Sequence, residues 1–264
     1  MSIIRLTNLS KKYGAFSAVD NLSLEVKPGE IFAFLGTNGA GKTTTIKMMT
    51  GVIEPTAGTV EIGGYNIQTH PVEAKSLMGV IPDRPYLYGK LTGREFLSFM
   101  AELYIVPHRT AANRIEEMLS LYGILEWQHD LIDSYSHGMK QRLLMCASLL
   151  HNPALLVVDE PMVGLDPRGA RLLKDTFRER AAQGLTIFMS THSLSVAEEI
   201  ADRLAIIKRG KLIALGTLAE LFAKVRNNSN DFQMPQSETL NNNSSQLENL
   251  FLQLVSEGDE WEEE

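Results

Sequence analysis

The sequence predicts an α/β fold: a parallel-sheet core, an N-terminal antiparallel β subdomain and an inserted α-helical subdomain. Three observations carry that expectation. The first 65 residues are β-rich segments punctuated by Gly, Pro and Asn. Residues 94 to about 150 place apolar residues at helical spacing with little strand signal between them. After Pro153 the pattern alternates strand, helix, strand, helix.

In order, Ile3–Leu9, Leu22–Val26, Ile31–Leu35 and Thr59–Ile62 read as strands, with Lys27-Pro28-Gly29 as a turn. One helix interrupts them, starting at Gly41-Lys42 and ending near Gly51. Glu95–Tyr104, Arg109–Leu121 and Gly138–Leu150 are the helices of the insert, which spans about 84–152. Met78–Ile81 reads as a strand leading to Pro82-Asp83, and Leu155–Asp159 and Leu185–Ser190 are short apolar strands. Arg168–Ala182 and Ser195–Ala201 are helices, the second with Ser195-x-x-Glu198 as an expected capping box. Leu204–Lys208 and Lys211–Leu215 flank Arg209-Gly210 as a hairpin, and no internal repeat is present.

The first domain is expected to end near residue 225. Residues 226–246, rich in Asn, Ser and Gln, read as a polar linker. Leu247, Leu250, Phe251 and Leu254 then make one apolar stripe on a short amphipathic helix, 247–256, which Ser245-x-x-Glu248 would cap and which suits docking. Residues 257–264 form an acidic tail.

The formal charge of −7 is unevenly placed. Nine acids and one base follow residue 225, leaving 23 acids and 24 Lys/Arg in the body. A near-neutral body argues against nucleic acid as a partner, since phosphate binding needs a basic surface. The single cysteine, Cys146, forms no internal disulfide, and a reducing cytosol is the expected setting. The N-terminus lacks the apolar run of a signal peptide, and no stretch approaches the roughly 20 apolar residues of a bilayer span. Service to a membrane would run through a partner.

Gly36-Thr37-Asn38-Gly39-Ala40-Gly41-Lys42-Thr43 matches G-x-x-x-x-G-K-[ST] in full. The glycines permit dihedrals that turn successive N–H groups inward around phosphate oxygens. Lys42 adds a point charge at the β- and γ-phosphates, and Thr43 offers a hydroxyl to Mg²⁺. Thr44 continues the phosphate-binding turn, and the helix dipole points at the same group. The motif lies between an apolar strand and a helix, as a nucleotide cradle requires. Leu155–Asp159 is an apolar strand ending in an acid suited to Mg²⁺, and Glu160 beside it suits a general base for an attacking water. ATP and Mg²⁺ are therefore the expected cofactors, and the fold class narrows to a P-loop NTPase core.

No Asn-Lys-x-Asp motif for guanine reading is present. Residues 1 to about 221 instead resemble the ABC ATPase family, in the family's motif order. Tyr13, in Lys12-Tyr13-Gly14, stands where that family places an aromatic residue on adenine. Ser136-His137-Gly138-Met139 resembles the signature motif that opens a helix, with His137 for the usual Gly and Met139 for the usual Gln. Gly164-Leu165-Asp166-Pro167 resembles the loop that puts Asp166 at a dimer interface, and Ser190-Thr191-His192 resembles the switch histidine. Where the family reads Pro-Gln, this chain reads Pro82-Asp83; Asp still reaches a metal but loses the amide donor, so Asp83 is expected on the Mg²⁺ side.

The resemblance extends to the drug- and polysaccharide-exporter branch, through Leu91-Thr92, Glu95, Ser136-His137-Gly138-Met139 and Leu247–Leu252. It implies a dimer in which each ATP lies between one chain's P-loop and the other's Ser136–Met139. Glu160 would be the base, and His192 would hold the γ-phosphate. A second ATPase subunit and integral membrane subunits are the implied partners. The location would be the cytoplasmic face of a membrane, held there through those subunits. Tyr86-Leu87-Tyr88 falls where the family receives its membrane partner. The alternative reading is a soluble ABC ATPase in cofactor assembly or another non-transport role.

Overall fold

The computed structural model describes residues 2–83, 86–163 and 165–228. Two sheets organise them. The first is antiparallel, in the order β2-β1-β4-β5, from β1 (Ile4–Tyr13), β2 (Phe16–Val26), β4 (Ala57–Ile62) and β5 (Tyr65–Asn66). The second has six strands in the order β10-β9-β3-β8-β7-β6. These are β3 (Ile31–Leu35), β6 (Met78–Ile81), β7 (Leu155–Asp159), β8 (Thr186–Thr191), β9 (Arg203–Lys208) and β10 (Lys211–Gly216). All its neighbours are parallel except β9 and β10, the hairpin.

The central strands are buried on both faces, so they read as unbroken apolar runs. Their period of two still divides the core. Phe32, Phe34, Leu155, Val157 and Phe188 join the cluster under the antiparallel sheet. Ala33, Leu35, Leu156, Val158, Ile187 and Met189 face the helices. Phe188 stacks on Phe32 with ring centroids 5.7 Å apart and meets Phe34 at 5.5 Å. Each of these fully buried rings contributes about 1.5–3 kcal/mol.

The helices are α1 (Lys42–Met49), α2 (Pro71–Ser76), α3 (Gly93–Leu103), α4 (His108–Leu121), α5 (His137–Leu149), α6 (Pro167–Ala182), α7 (Leu194–Ile200) and α8 (Leu218–Asn228). The insert is α3, α4 and α5, as the spacing predicts. Helix α3 starts two residues before the expected Glu95, because Thr92 and Glu95 form a capping box: Glu95 N donates to Thr92 Oγ1 and Thr92 N to Glu95 Oε2. The capping box expected at Ser195–Glu198 is not formed. Helix α7 starts at Leu194 with Ser193 as N-cap and no side-chain capping bond; the Ser193 and Ser195 hydroxyls pair with each other at 3.2 Å.

Strands β1 and β2 run past their expected limits at Leu9 and Leu22 to meet at Tyr13 and Phe16. Helices α2 and α8 were not expected. Thr217 and Glu220 exchange hydrogen bonds at the start of α8, which reaches Asn228, past the expected domain end at 225. From residue 229 onward the chain lies outside the described residues. That includes most of the expected linker 226–246, the helix 247–256 and the acidic tail 257–264. Among the described residues no helix is long and apolar enough to cross a membrane.

One half-buried contact fastens the insert to the sheet. The His151 ring stacks on Tyr104, centroids 3.7 Å apart and 9° from parallel, and its Nε2 meets Met78 O at 3.1 Å. Its Nδ1 is buried without a hydrogen-bond partner. Burial, aided by the nearby Arg114 charge, pushes the imidazole below its ordinary 6.5 despite the Met78 bond. Below pH 6.5 the unfolded chain therefore takes up a proton that the folded chain refuses, and stability falls with pH until the depressed folded value is reached. Urea denaturation at stepped pH between 7.5 and 5 checks this: His151→Phe, which keeps a ring against Tyr104, should flatten part of the decline.

Candidate active site

In an open parallel sheet, ligands gather beyond the carboxyl ends of the strands, where the strand order reverses. Register puts those ends level: Leu35 pairs with Thr191, Asp159 with Ser190 and Ile81 with Val158. The loops after β3, β6, β7 and β8 therefore open onto common ground.

The loop after β3 can be built only with glycine at two places. A Cβ at Gly36 would lie 2.6 Å from Ile207 O. Gly41 holds φ 110°, and a Cβ there would lie 2.5 Å from Ala18 O. Gly41 caps α1 with backbone alone, and no acidic residue occupies the first turn. The first-turn N–H groups, unpaired within any helix, and the positive dipole end thus face outward together.

Lys42 is buried, and its Nζ donates to Gly36 O at 2.8 Å and Thr37 O at 3.2 Å. The same ammonium stands 3.6 Å from Glu160 Oε1. Glu160 Oε2 lies 3.0 Å from His192 Nδ1, and His192 N donates to it at 3.4 Å. Lysine, carboxylate and imidazole thus form one chain of charge-assisted contacts, brought from the ends of β3, β7 and β8. Glu160 has φ 52°, a left-handed backbone that a non-glycine residue adopts at a cost, and its N–H is anchored on Ser190 O at 3.1 Å.

Asp159 is buried, and one carboxylate oxygen, Oδ1, accepts from the Ser190 hydroxyl. A cavity of about 420 Å³ opens beside these residues. Of the predicted site residues, Thr37, Asn38, Gly39, Gly41, Lys42, Thr43, Thr44, Asp83, Glu160 and His192 line it. Gly36 and Ala40 are buried beneath the loop and shape it.

Tyr13 is not in that lining. It is half exposed, with the Lys11 ammonium 5.3 Å over its ring, and its cross-strand partner Phe16 lines the cavity instead. Sequence reasoning misses Phe16 because the apolar alternation ends the first strand at Leu9. The signal was present: Tyr13-Gly14-Ala15-Phe16 is a two-residue hairpin turn between aromatics, with Gly14 at φ 60°. Val163 and Ala18 also line the cavity without having been foreseen.

Ser136 opens α5 as its N-cap, its Oγ accepting from Met139 N at 3.3 Å. Ser136 and His137 are exposed, Gly138 and Met139 half-buried, and none of the four lines the cavity. Asp166 is exposed and caps α6, accepting from Gly169 N at 2.8 Å; Gly164 lies outside the described residues.

Comparison with known proteins decides what this arrangement belongs to. The family model described as ABC transporter matches residues 19–163, more than half of the chain. The linearmycin resistance ATP-binding protein of Bacillus subtilis is 36% identical over 84% of this chain and 72% of its own length. The chain belongs to the ABC transporter ATP-binding family.

The bacitracin transport ATP-binding protein of Bacillus licheniformis is 42% identical over 80% of this chain and 69% of its own. A solved ATP-binding subunit of an ABC transporter superposes with a TM-score of 0.85 at 30% identity, covering 96% of this chain and all of that one. CbiO1 of Clostridium perfringens, described as part of a transporter complex, superposes at 0.74 with 26% identity over 85% of this chain and 92% of its own. This ABC chain is accordingly an ATP-binding subunit of a family that hydrolyses ATP to power transport. Its parallel sheet and antiparallel N-terminal sheet are those of ABC ATPase structures.

Proposed function

We propose that the chain works as one half of an ATP sandwich that drives a separate membrane subunit, in an exporter. The convergence of Lys42, Glu160 and His192 at one cavity carries the proposal, because it supplies a phosphate cation, a base and an imidazole within contact distance. Lys42 and the loop amides, with Gly36–Thr44, hold the β- and γ-phosphates. Glu160 takes the proton of the attacking water, and His192 turns from Glu160 to the γ-phosphate. Phe16 lines the side where adenine would stack, with Tyr13 paired to it across the strands and outside the lining.

The donor set suits Mg²⁺. Thr43 lines the cavity, Asp159 has one oxygen bonded by Ser190 and a second to offer, and Asp83 lines the cavity from the end of β6. Among the described residues no cluster of three or more His, Cys, Asp or Glu could cage a metal. That fits an ion held chiefly by phosphate oxygens and water. When bound, Mg²⁺ neutralises charge on the phosphates.

Ser136–Met139 lie outside their own chain's cavity, with Ser136 and His137 exposed at a helix N-terminus. That supports their acting on the γ-phosphate bound by a second chain, with Asp166 near the shared surface. An exposed aromatic patch follows β6: Tyr86 is 84% exposed and meets Tyr88 edge-on at 5.9 Å, and Tyr88 meets Phe99 at 5.8 Å. Such a patch suits a membrane subunit, and docking there would hold the chain at the cytoplasmic face. Relatives named for linearmycin resistance and bacitracin transport favour export of drug-like compounds.

Co-expression with a candidate polytopic membrane subunit, chosen from the genes neighbouring this one, tests this reading. The two should co-purify in detergent, ATP turnover should require Mg²⁺ and stop with EDTA, and Tyr86→Asp should weaken the complex. Full turnover without Mg²⁺, or no association in detergent, would sink it.

A further inference from the structure

We propose that Gln141 is a positioning residue that ties the helix carrying Ser136–Met139 to the Glu160 loop of the same chain. The inference rests on the ATPase reading and concerns how that site is held. Gln141 lies one turn into α5, and its Nε2 donates to Val163 O at 3.0 Å. Val163 lines the nucleotide cavity with Glu160, and its own N–H donates back to Glu160 O at 3.2 Å. A two-bond path therefore joins α5 to the backbone of Glu160. Among the described residues, Gln141 is the only side chain from outside the loop that bonds residues 161–163 or 165.

The two ends of the amide have different surroundings. Gln141 Oε1 faces a small cavity that Asp83, Asp159 and Glu160 also line, and among the described residues no protein group donates to it. The Nε2 end is the one that reaches protein, at Val163 O, and its job is to hold the loop.

The consequence is a wire within one chain. When Ser136–Met139 engage phosphate on a second chain, α5 pulls on Val163 and so on the chain's own Glu160. One site's closure thereby sets the base of the other. Breaking the bond should loosen the loop and slow turnover without weakening ATP binding, since Lys42 and the phosphate loop are untouched.

The test uses the full chain carrying Gln141→Met, which keeps length and loses the donor, and Gln141→Glu, which keeps shape and only accepts. Amide hydrogen exchange in peptides covering 160–166 should speed at least about tenfold in both, with the sheet and α5 protected as before. The Kd for ATP should stay within about twofold while kcat falls at least about fivefold at unchanged KM. Unchanged exchange in Gln141→Met overturns the proposal. So does a kcat loss matched by weaker ATP binding, or a loss of protection across the whole sheet in both variants, which would make Gln141 a fold determinant. If the wild-type chain turned over no ATP, the ATPase reading would fail separately, and the exchange arm would still decide the role of Gln141.

Discussion

Glu160→Gln is expected to cut ATP turnover by about 10²–10⁴-fold, the range for losing a general base, while ATP still binds. The carboxylate is the node of the site: Lys42 Nζ at 3.6 Å and His192 Nδ1 at 3.0 Å both approach it. Glutamine keeps the size and one acceptor oxygen, so the loop should retain its shape. What it cannot do is accept the proton of the attacking water. Under the sandwich scheme, closure without hydrolysis leaves ATP trapped between two chains. Light scattering of the variant with ATP and Mg²⁺ should therefore show a stable dimer that wild type forms only transiently. A variant that stays monomeric with ATP would refute the sandwich, and one that hydrolyses at the wild-type rate would remove Glu160 from the chemistry.

The second large effect is expected at Gly41. At φ 110° a side chain is strained, by about 1–3 kcal/mol, before any contact is considered. In Gly41→Ala the new Cβ would also sit 2.5 Å from Ala18 O, a backbone atom of β2 that cannot swing aside. The loop must shift, and its amides and Lys42 shift with it. ATP binding should weaken at least about 100-fold, because a preorganised ring of donors is lost as a unit. The melting temperature should drop by on the order of 5 °C, as expected for a loss of one to three kcal/mol in a domain of this size. Isothermal titration and thermal unfolding read the two effects separately; an unchanged Kd would show that the loop tolerates a side chain there.

Much of the fold was legible because it is written in short range. The unbroken apolar runs of β3, β7 and β8 and the helical spacing of α3, α4 and α5 are local signals, and the structure has them within a few residues of the expected limits. The misses also have local causes. Past Leu9 the apolar alternation of β1 fades into Ser10-Lys11-Lys12, although its pairing with β2 continues to Tyr13. Thr92-x-x-Glu95 was there to be read as a capping box, whereas Ser195-x-x-Glu198 matched the pattern and forms none. A capping pattern states that two side chains can reach, and the preceding backbone decides whether they do.

The nucleotide site divides along the same line. The sequence by itself determined the phosphate loop, since its eight consecutive residues set their own dihedrals and need only a strand before and a helix after. It also determined that an acid would end β7 and that Glu160 would follow. Only the tertiary structure decided that Lys42, Glu160 and His192 meet, that Phe16 rather than Tyr13 lines the cavity, and that Gln141 reaches Val163. Those contacts depend on β3, β8 and β7 lying side by side in parallel register. Strand order is settled by which apolar faces bury one another across the whole sheet. Strands buried on both faces carry no local mark of their neighbours.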